Sequence, residues 1–424
     1  GKEDFYQSVT YPAVGASRSH SNGLHFKNNY YRHGHACRQS IARTVVMRDG
    51  KPASRKTWNT TNRTSTFDER AAFQPSYAVN RKNGKRAGYA NGIQRFKKIK
   101  TCIRIGYGTV FRYHELKLKQ AGVETIGVID SHEEKRSAAS SAGFKTFDSY
   151  ENAAAEKPDL WDICVRTSHH IDVLKKIIAA DPPANIIIET PVCHFHQVDE
   201  LGKLLQNFSG KIVVNENYVL SNVTRKIREL SRQLDLRPTR IISEMSKNRK
   251  KDIARGRFID EELFAFGYEG SHIVTNVLEL GKEYLPVKII EGSCSGMFVD
   301  TRSGKKYFPK QGAMERNYIS RSGASVILST SMNGRVKYRY PCPFDIKRIP
   351  LEDAGTRYRI LAVEDKEKSI IVAGFYEPVK GLNRNEGAVV ILRGGRIADM
   401  IMPISDDTMG NLLRRAVEYF NGEA

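Results

Sequence analysis

The stretch that decides the fold is residues 100–131, which read KTCIRIGYGTVFRYHELKLKQAGVETIGVIDS. It opens with an apolar run at 101–105 that is typical of a buried β-strand. Gly106 and Gly108 then break the run, and a helix is predicted over 112–121. A glycine between a strand and a helix allows a tight turn, and a second one lets another molecule approach the backbone closely.

A second apolar run at 124–129 follows the helix and ends at Asp130, 22 residues after Gly108. Strand, glycine turn, helix, strand and acid form the pattern of a dinucleotide-binding unit. Asp130 can accept hydrogen bonds from the hydroxyls of an adenosine ribose, and its charge repels a 2′-phosphate. The pattern therefore predicts NAD, with NADP as the second choice. Phe111 stands where the fingerprint has a third glycine, so we expect the helix to lie slightly further from the strand.

The composition predicts more than one domain, because 424 residues can bury more than one core. No apolar run reaches the roughly 18 residues of a membrane span, and no secretory segment opens the chain. The six cysteines include no C-x-x-C pair, which indicates reduced thiols and a cytoplasmic protein.

The first 97 residues differ from the rest in charge and composition. They hold 7 Lys and 11 Arg against 5 acidic residues, or +13 of the total net charge of +21. They are rich in Asn, Ser and Thr, which predicts a basic, poorly structured extension. Two other interpretations are weighed: nucleic-acid binding by basic residues interleaved with aromatic ones, and metal binding by His33, His35 and Cys37. Neither is favoured, because no folded basic module and no second pair of ligands is present.

From residue 99 onward, predicted strands and helices alternate. The strands are predicted at 144–147, 160–165, 184–189 and 211–215, and the helices at 133–142, 149–156, 171–180 and 196–208. This alternation predicts a parallel sheet with helices on both faces, a Rossmann-type domain over 98–217. Ligands of such sheets collect at the carboxyl ends of the strands. The loops at 106–111, 130–132, 166–170 and 189–194 are therefore expected to line one crevice.

The chain resembles the glucose–fructose oxidoreductase, inositol dehydrogenase and MocA (Gfo/Idh/MocA) family over roughly 99–420. Four segments carry the resemblance: Gly106-x-Gly108 with His114, Asp162 to Thr167, Ile187 to Pro191, and Asn215 to Tyr218. The resemblance implies a C-terminal α/β domain with a large, mainly antiparallel sheet, placed here at 218–424. Strands are predicted there at 239–244, 287–291, 324–329, 358–363, 369–373 and 388–392, with a helix at 407–420. The family resemblance also implies a homo-oligomer.

The resemblance implies the following site. The cofactor-binding residues are Gly106, Gly108, Thr109, Val110, Asp130, Thr167, Glu189, Pro191 and Asn217. The catalytic candidates are His272, Tyr268 and Thr190. His272 takes the place of the family histidine and can exchange a proton near neutral pH. Thr190 stands where relatives have a lysine, and Tyr268 where they have an aspartate.

These features predict an NAD(P)-dependent oxidoreductase that acts on a small polar substrate, namely a sugar, a cyclitol or an imine. The alternative is a catalytically inactive family member that binds a nucleotide or sugar as a sensor or partner subunit, since Thr190 and Tyr268 replace two catalytic residues. No metal and no membrane are predicted. His169, His170, His194 and His196 are interpreted as crevice wall or substrate contacts.

Overall fold

The computed structural model describes residues 98–260, 262–297, 299–300, 306–307, 312–337, 339–341, 343, 357–377 and 382–423. The predictions for residues 1–97, including the basic extension and the His33, His35 and Cys37 ligands, lie outside these residues.

The first sheet has six parallel strands in the order β3-β2-β1-β4-β5-β6. Its strands are β1 (Thr101–Ile105), β2 (Glu124–Ile129), β3 (Thr146–Phe147), β4 (Leu160–Ile163), β5 (Asn185–Glu189) and β6 (Lys211–Asn215). The helices between them are α1 (Thr109–Gln120), α2 (Glu133–Ser141), α3 (Tyr150–Ala155), α4 (His170–Ala180) and α5 (Val198–Leu205). The predicted doubly wound parallel sheet is thereby confirmed.

Local sequence explains why these elements form where they do. The central strands are mainly apolar because helices cover both faces of a parallel sheet, and all four residues of β4 are buried. Helix α3 begins at a capping serine, Ser149, whose side chain accepts a hydrogen bond from the Asn152 N–H at 3.1 Å.

The second sheet has eight strands in the order β16-β15-β14-β13-β7-β12-β11-β8. Its strands are β7 (Arg240–Lys247), β8 (Pro286–Ser295), β11 (Ala313–Ser320), β12 (Ser325–Ser331), β13 (Arg357–Asp365), β14 (Ile370–Tyr376), β15 (Glu386–Arg393) and β16 (Arg396–Ser405), with β9 (Val299–Asp300) and β10 (Lys306–Tyr307) as a separate pair. Only the β7–β12 pairing is parallel among the pairs of this sheet in the described residues. The predicted large, mainly antiparallel sheet is therefore confirmed.

Four further helices complete the described part of the chain: α6 (Asn222–Gln233), α7 (Lys250–Ala254), α8 (Phe264–Leu280) and α9 (Thr408–Phe420). Helices α6 and α8 pack on one face of the second sheet. The last helix, α9, packs instead against the first sheet, where Leu413 and Phe420 share a core with Cys102, Leu118 and Leu160. The stretch that sequence assigns to the second domain thus contributes a helix to the first.

The sequence pattern does not predict two strands of the second sheet, β11 and β16. β11 carries Glu315, Arg316 and Asn317 in succession, and β16 contains Pro403, which interrupts a strand pattern. Proline is tolerated in β16 because it is an edge strand of the sheet. The local sequence of both segments has only a weak preference for a β-strand, and hydrogen-bonded pairing with a neighbouring strand outweighs it.

No helix within the described residues is long and apolar enough to cross a membrane.

Candidate active site

The glycine turn between β1 and α1 has the geometry that the sequence predicts. Gly106 adopts φ +95°, and a Cβ there would lie 3.2 Å from the backbone of Cys164, so the position requires glycine. Gly108 is exposed and directly precedes α1, and a Cβ built on it would meet nothing within 4 Å. The protein's own packing therefore does not require a glycine at position 108. A ligand lying against the backbone at the start of the helix would require one.

The start of α1 is suited to an anion. Thr109 is exposed, Val110 is half-buried, and the first turn of the helix contains no acidic residue. The first backbone N–H groups of a helix lack intrahelical partners, and they carry the positive end of the helix dipole. Phe111 is buried against the Arg104 guanidinium, 4.1 Å from its ring centre, and against Phe144. The predicted wider spacing between helix and strand stays a prediction.

Asp130 lies at the carboxyl end of β2 and ties the glycine turn to that strand. Its Oδ2 accepts a hydrogen bond from the Tyr107 N–H at 2.8 Å, and its Oδ1 accepts one from the His132 N–H at 2.9 Å. A carboxylate oxygen has two lone pairs, so these bonds leave acceptor capacity for a ribose. The predicted role of Asp130 is thus compatible with a second one, which is to position the turn.

Beneath the crevice lies a buried network of charged side chains that joins three strands to α1. Arg104 Nε donates a hydrogen bond to Asp162 Oδ2 at 3.0 Å, and Arg104 Nη1 donates one to Glu115 Oε2 at 2.9 Å. His114 has Nδ1 2.9 Å from Asp162 and Nε2 2.8 Å from Glu189. Arg104, His114 and Asp162 are fully buried.

The charges of this network stabilise one another. Burial alone would lower the pKa of His114, but the Asp162 carboxylate more than offsets it and holds that pKa well above its usual value. Burial would raise the pKa of Asp162, but His114 and Arg104 together hold it far below its usual range. We infer that His114 is an imidazolium with both nitrogens donating. Glu189, predicted to bind the cofactor, is thus held by His114 and by the Asn215 amide.

The remaining predicted crevice residues lie on the loops after β4, β5 and β6. Thr167 is buried in a short 3-10 turn, and Thr190 and Pro191 are half-buried and joined by a cis peptide bond. His170 links two of these loops, because its ring nitrogens lie 3.1 Å from the carbonyls of Val165 and Val192. Burial lowers the pKa of His170, although the hydrogen bonds with both carbonyls oppose it.

Asn217 follows β6, and its predicted role is cofactor binding. The structure gives its side-chain amide a protein partner, because Nδ2 donates to Thr408 Oγ1 at 2.7 Å. This bond attaches the end of the first sheet to the start of α9. The role of Asn217 toward a cofactor stays a prediction.

His272 lies on α8 and is paired with Glu216, the first residue after β6. His272 Nδ1 is 2.7 Å from Glu216 Oε1, and the Tyr218 ring lies 5.0 Å from the imidazole. Burial alone would lower the pKa of His272, but Glu216, with help from Glu269, raises it above the usual value. Since Nδ1 faces the carboxylate, Nε2 is the nitrogen that can exchange a proton. Glu216 was not predicted as a site residue, although it lies within the Asn215 to Tyr218 segment.

The contacts of Tyr268 are with residues other than this pair. Its hydroxyl accepts a hydrogen bond from the Asp260 N–H at 3.1 Å, and its ring packs against Phe258. Burial raises the pKa of Tyr268 to about 12. Its predicted role as a proton donor stays untested, and these contacts favour packing.

Glu269 lies one turn before His272 on α8 and is buried among arginines. It accepts a hydrogen bond from Arg249, and Arg359 is 3.7 Å away. Burial would raise the pKa of Glu269, but Arg249 and Arg359 lower it to about 2. The acidic residue near the candidate histidine is therefore Glu269. The position before it, where the family resemblance implies an aspartate, holds Tyr268.

Two histidines attach the loop after β5 to the segment that precedes α8. His194 Nε2 lies 2.7 Å from Asp260, and His196 Nδ1 lies 2.8 Å from Glu262. The hydrogen bond that His194 donates to Asp260 raises the pKa of His194, although burial opposes it. Burial would raise the pKa of Asp260, but the bond with His194 outweighs it and lowers that pKa. Both shifts indicate an ion pair.

We expect His194→Gln to lower the melting temperature by about 2–4 °C at pH 5.5, which corresponds to about 1 kcal/mol. The raised pKa of His194 gives stability that is fully present below about pH 6.5 and is lost as pH rises through the folded pKa. The lowered pKa of Asp260 gives stability that is lost only in acid, below about pH 4. The difference between wild type and variant should therefore shrink at pH 8.5. Melting curves at both pH values measure this, and an equal difference at both would contradict an ion pair.

Two groups within the described residues bring three metal-ligand types within 4.8 Å of one another: His114, Asp162 and Cys164, and His194, His196 and Glu262. In the first group the Arg104 guanidinium already neutralises Asp162. In the second group both histidines are paired with acids. These contacts explain both groups without an ion.

Comparison with known proteins agrees with this geometry. Residues 100–216 match the Gfo/Idh/MocA family, an oxidoreductase family with an NAD-binding Rossmann fold. No curated protein matches the chain significantly by sequence.

Solved structures resemble most of the described chain. A levoglucosan dehydrogenase in complex with NADH and L-sorbose has a TM-score of 0.56 at 12% identity, covering 76% of this chain and 88% of that one. A 3-ketoreductase from Actinomadura kijaniata, with TDP-benzene and NADP, has a TM-score of 0.55 at 10% identity, covering 76% and 90%. A biliverdin reductase from Synechocystis, with biliverdin and NADP+, has a TM-score of 0.52 at 12% identity, covering 76% and 91%.

Because the sequence identities are only 10–12%, the similarity to these structures establishes the fold alone, across both sheets. The family match adds the cofactor class, since this family's Rossmann fold binds NAD, as the glycine turn and Asp130 predict. Residues 100–216 of this chain thus match the Gfo/Idh/MocA family of oxidoreductases with an NAD-binding Rossmann fold.

Proposed function

We propose that this protein is an NAD(P)-dependent oxidoreductase that acts on a small polar substrate of the sugar, cyclitol or imine class. The observation that carries the proposal is the pairing of His272 with Glu216 at 2.7 Å. Glu216 follows β6 at the carboxyl edge of the first sheet, the edge that also carries Gly108 and Asp130. The pairing therefore brings a proton-exchanging group of the second domain to the cofactor side of the first.

The residues present fit a dinucleotide. Gly108 leaves the backbone open at the start of α1, and the uncapped N–H groups of that turn can hold a pyrophosphate. Asp130 lies where a ribose is expected. The nicotinamide, when bound, supplies the hydride chemistry.

The protein's own contribution is to orient the substrate and to hold a proton. Glu216 fixes the ring of His272 through Nδ1, so that Nε2 can give a proton to a developing alkoxide or amine, or take one from a hydroxyl. The other carboxylate oxygen of Glu216, Oε2, is buried with no hydrogen-bond partner. A buried acceptor of this kind favours a ligand that brings its own donor, such as a hydroxyl or an amine. The solved neighbour with L-sorbose supports a sugar-like substrate.

Cofactor binding is tested with Gly108→Val. Valine suits the extended backbone of Gly108, φ −109° and ψ −160°, and a Cβ there meets no protein atom, so the fold should be retained. We expect NADH affinity to fall at least about tenfold, since the side chain occupies the space that a pyrophosphate needs. Titration followed by nicotinamide fluorescence measures the affinity, and NADPH is titrated in parallel.

The matched control is Gly202→Val on α5, where an added Cβ also meets nothing within 4 Å. NADH affinity should be unchanged in the control. If wild type does not bind NADH or NADPH at millimolar concentration, the proposed function is wrong. Equal affinity in Gly108→Val and wild type would place the cofactor elsewhere.

The second candidate is a catalytically inactive sensor or partner subunit that binds the nucleotide. It rests on Thr190 and Tyr268, which replace the lysine and aspartate that the family resemblance implies, and on the packing of Tyr268 against Phe258. NADH binding without turnover in a screen of sugars, cyclitols and imines would favour it.

A further inference from the structure

Three arginines and a lysine meet beside α8, where β7 ends and β13 begins. The two strands pair antiparallel, with Lys247 opposite Arg357 and Met245 opposite Arg359. Side chains alternate along a strand, so Lys247, Arg357 and Arg359 lie on the sheet face that α6 and α8 cover. Arg249 follows β7 and is fixed through its backbone N–H, which donates to the Met332 carbonyl at 2.7 Å.

Within the described residues, the ion pairs of these cations share two carboxylates. Glu269 pairs with Arg249 and, at 3.7 Å, with Arg359. Asp252 is shared by Lys247 at 3.3 Å, Arg249 at 3.7 Å and Arg257 at 3.1 Å. In these pairs two carboxylates are thus shared by four cations, namely Lys247, Arg249, Arg257 and Arg359.

Arg357 is the cation that these contacts leave out. Its Nε is buried with no hydrogen-bond partner, and so is the Nε of Arg249. Repulsion by Arg359, together with burial, lowers the pKa of Arg357 to about 10. Leaving a buried charged donor unpaired is costly, and an arginine fork matches the two oxygens of a carboxylate or phosphate.

This arginine cluster (Arg249, Arg357 and Arg359) lies next to the candidate proton donor. Arg359 donates to the Tyr218 hydroxyl at 2.6 Å, and the Tyr218 ring lies 5.0 Å from the His272 ring. Glu269, which holds Arg249, precedes His272 by one turn of α8. An anionic group bound by the cluster would therefore belong to a molecule that also reaches His272.

We propose that the arginine cluster is a substrate-binding subsite for an oxyanion, so that the substrate carries a carboxylate or a phosphate. Arg357 binds the anion directly, and Arg249 and Arg359 supply the surrounding positive charge. The subsite sets specificity, since a neutral analogue would leave Arg357 unpaired. As a substrate subsite, it rests on the proposed function of His272 and the glycine turn.

The test uses the full chain and two simple anions. Inorganic phosphate and acetate are titrated at constant ionic strength into wild type, Arg357→Gln and Arg415→Gln, followed by calorimetry and by melting temperature. Arg415 is the matched control, an arginine on α9 paired with Glu418 at 3.0 Å and remote in sequence from the cluster. A parallel series contains saturating NADH, which is expected to occupy the glycine turn. Phosphate that binds at the turn is thereby distinguished from phosphate that binds at the arginine cluster.

We expect wild type and Arg415→Gln to bind at least one of the anions and Arg357→Gln to bind it at least about tenfold more weakly. Without added anion, the melting temperature of Arg357→Gln should equal or exceed that of wild type, because a repelled charge has been removed. A purely structural arginine would give the opposite result. Tighter phosphate binding indicates a phosphorylated substrate, and tighter acetate binding a carboxylate.

Equal anion affinity in Arg357→Gln and wild type, or no binding of either anion by wild type, would overturn the subsite. If Arg357→Gln does not fold, Arg357→Lys decides, because it keeps the charge but loses the fork. We expect it to bind the anion more weakly than wild type, and unchanged affinity for both anions would overturn the proposal. Failure of wild type to bind NADH would instead remove the proposed function, which is measured separately.

Discussion

His272→Gln is expected to lower turnover by about 10²–10⁴-fold, the contribution typical of a positioned general acid or base. Glutamine keeps a hydrogen-bonding group that can reach Glu216, but it cannot exchange a proton near neutral pH. NADH affinity should be unchanged, because His272 lies on α8 and the cofactor-binding turn on the first sheet. The rate is measured with a substrate found by screening, under saturating cofactor.

The pH dependence gives a second readout of the same pair. Glu216 raises the pKa of His272 against the effect of burial, so the protonated donor persists above its usual range. In the reductive direction, activity should fall as pH rises through that pKa. Glu216→Gln removes the charge and leaves burial, which lowers the pKa, so the fall in activity should move to lower pH. Titration of His272 by NMR detects the same shift without a substrate.

The control for His272→Gln is His196→Gln, which also removes a histidine paired with an acid, but an exposed one. Its turnover should stay near that of wild type. If His272→Gln retains wild-type turnover, the proton comes from another group, and Tyr268 becomes the next candidate. If wild type binds NADH but turns over no substrate, the inactive alternative is favoured.

The cofactor half of the site could be predicted because its signal is local. Gly106, Gly108 and Asp130 lie within 25 consecutive residues, and each is tied to a backbone conformation or a strand end. The parallel sheet could be predicted for the same reason, since apolar strands and amphipathic helices alternate at short spacing.

The substrate half could not be predicted in the same way. Lys247 and Arg357 are 110 residues apart in the chain and become neighbours only through the register of β7 and β13. The pairing of His272 with Glu216 likewise depends on how α8 packs against the end of β6. Single charged residues carry no sequence signal for such contacts, because an isolated Arg or Glu usually lies in solvent.

The buried network under the crevice does not follow from the sequence either, although two of its residues interrupt apolar runs. Arg104 interrupts the apolar run of β1, and a charged residue within a central strand is almost never fully buried unless it is paired. Its partner Asp162 lies on β4, which neighbours β1 in the sheet although β4 is fourth in the chain. His114 and Asp162 both belong to the segments that carry the family resemblance, but only the structure joins them.

Asp162→Asn is expected to destabilise the first domain by about 3–5 kcal/mol, the range for removing one partner of a buried ion pair. The change leaves Arg104 and His114 buried without their shared carboxylate. Asp162 has a pKa far below its usual value, so its stabilisation is present above about pH 4 and is lost only as pH falls through the folded pKa. The destabilisation caused by Asp162→Asn should therefore be largest at pH 7 and become smaller in strong acid.

Urea unfolding followed by the fluorescence of Trp161, the residue before Asp162 on β4, measures this loss in a Trp58→Phe background. Asp172→Asn is the matched control, since that acid is exposed on α4 and its replacement should change stability by no more than about 0.5 kcal/mol.

Arg104→Met combined with Asp162→Asn should cost less stability than the sum of the two single changes, because each removes the same buried interaction. Simple additivity would mean that Arg104 and Asp162 act independently, and a small loss in Asp162→Asn would mean that water or another acid replaces the carboxylate. The network would then be ruled out as the support that holds the glycine turn, Glu189 and the strand ends in one crevice.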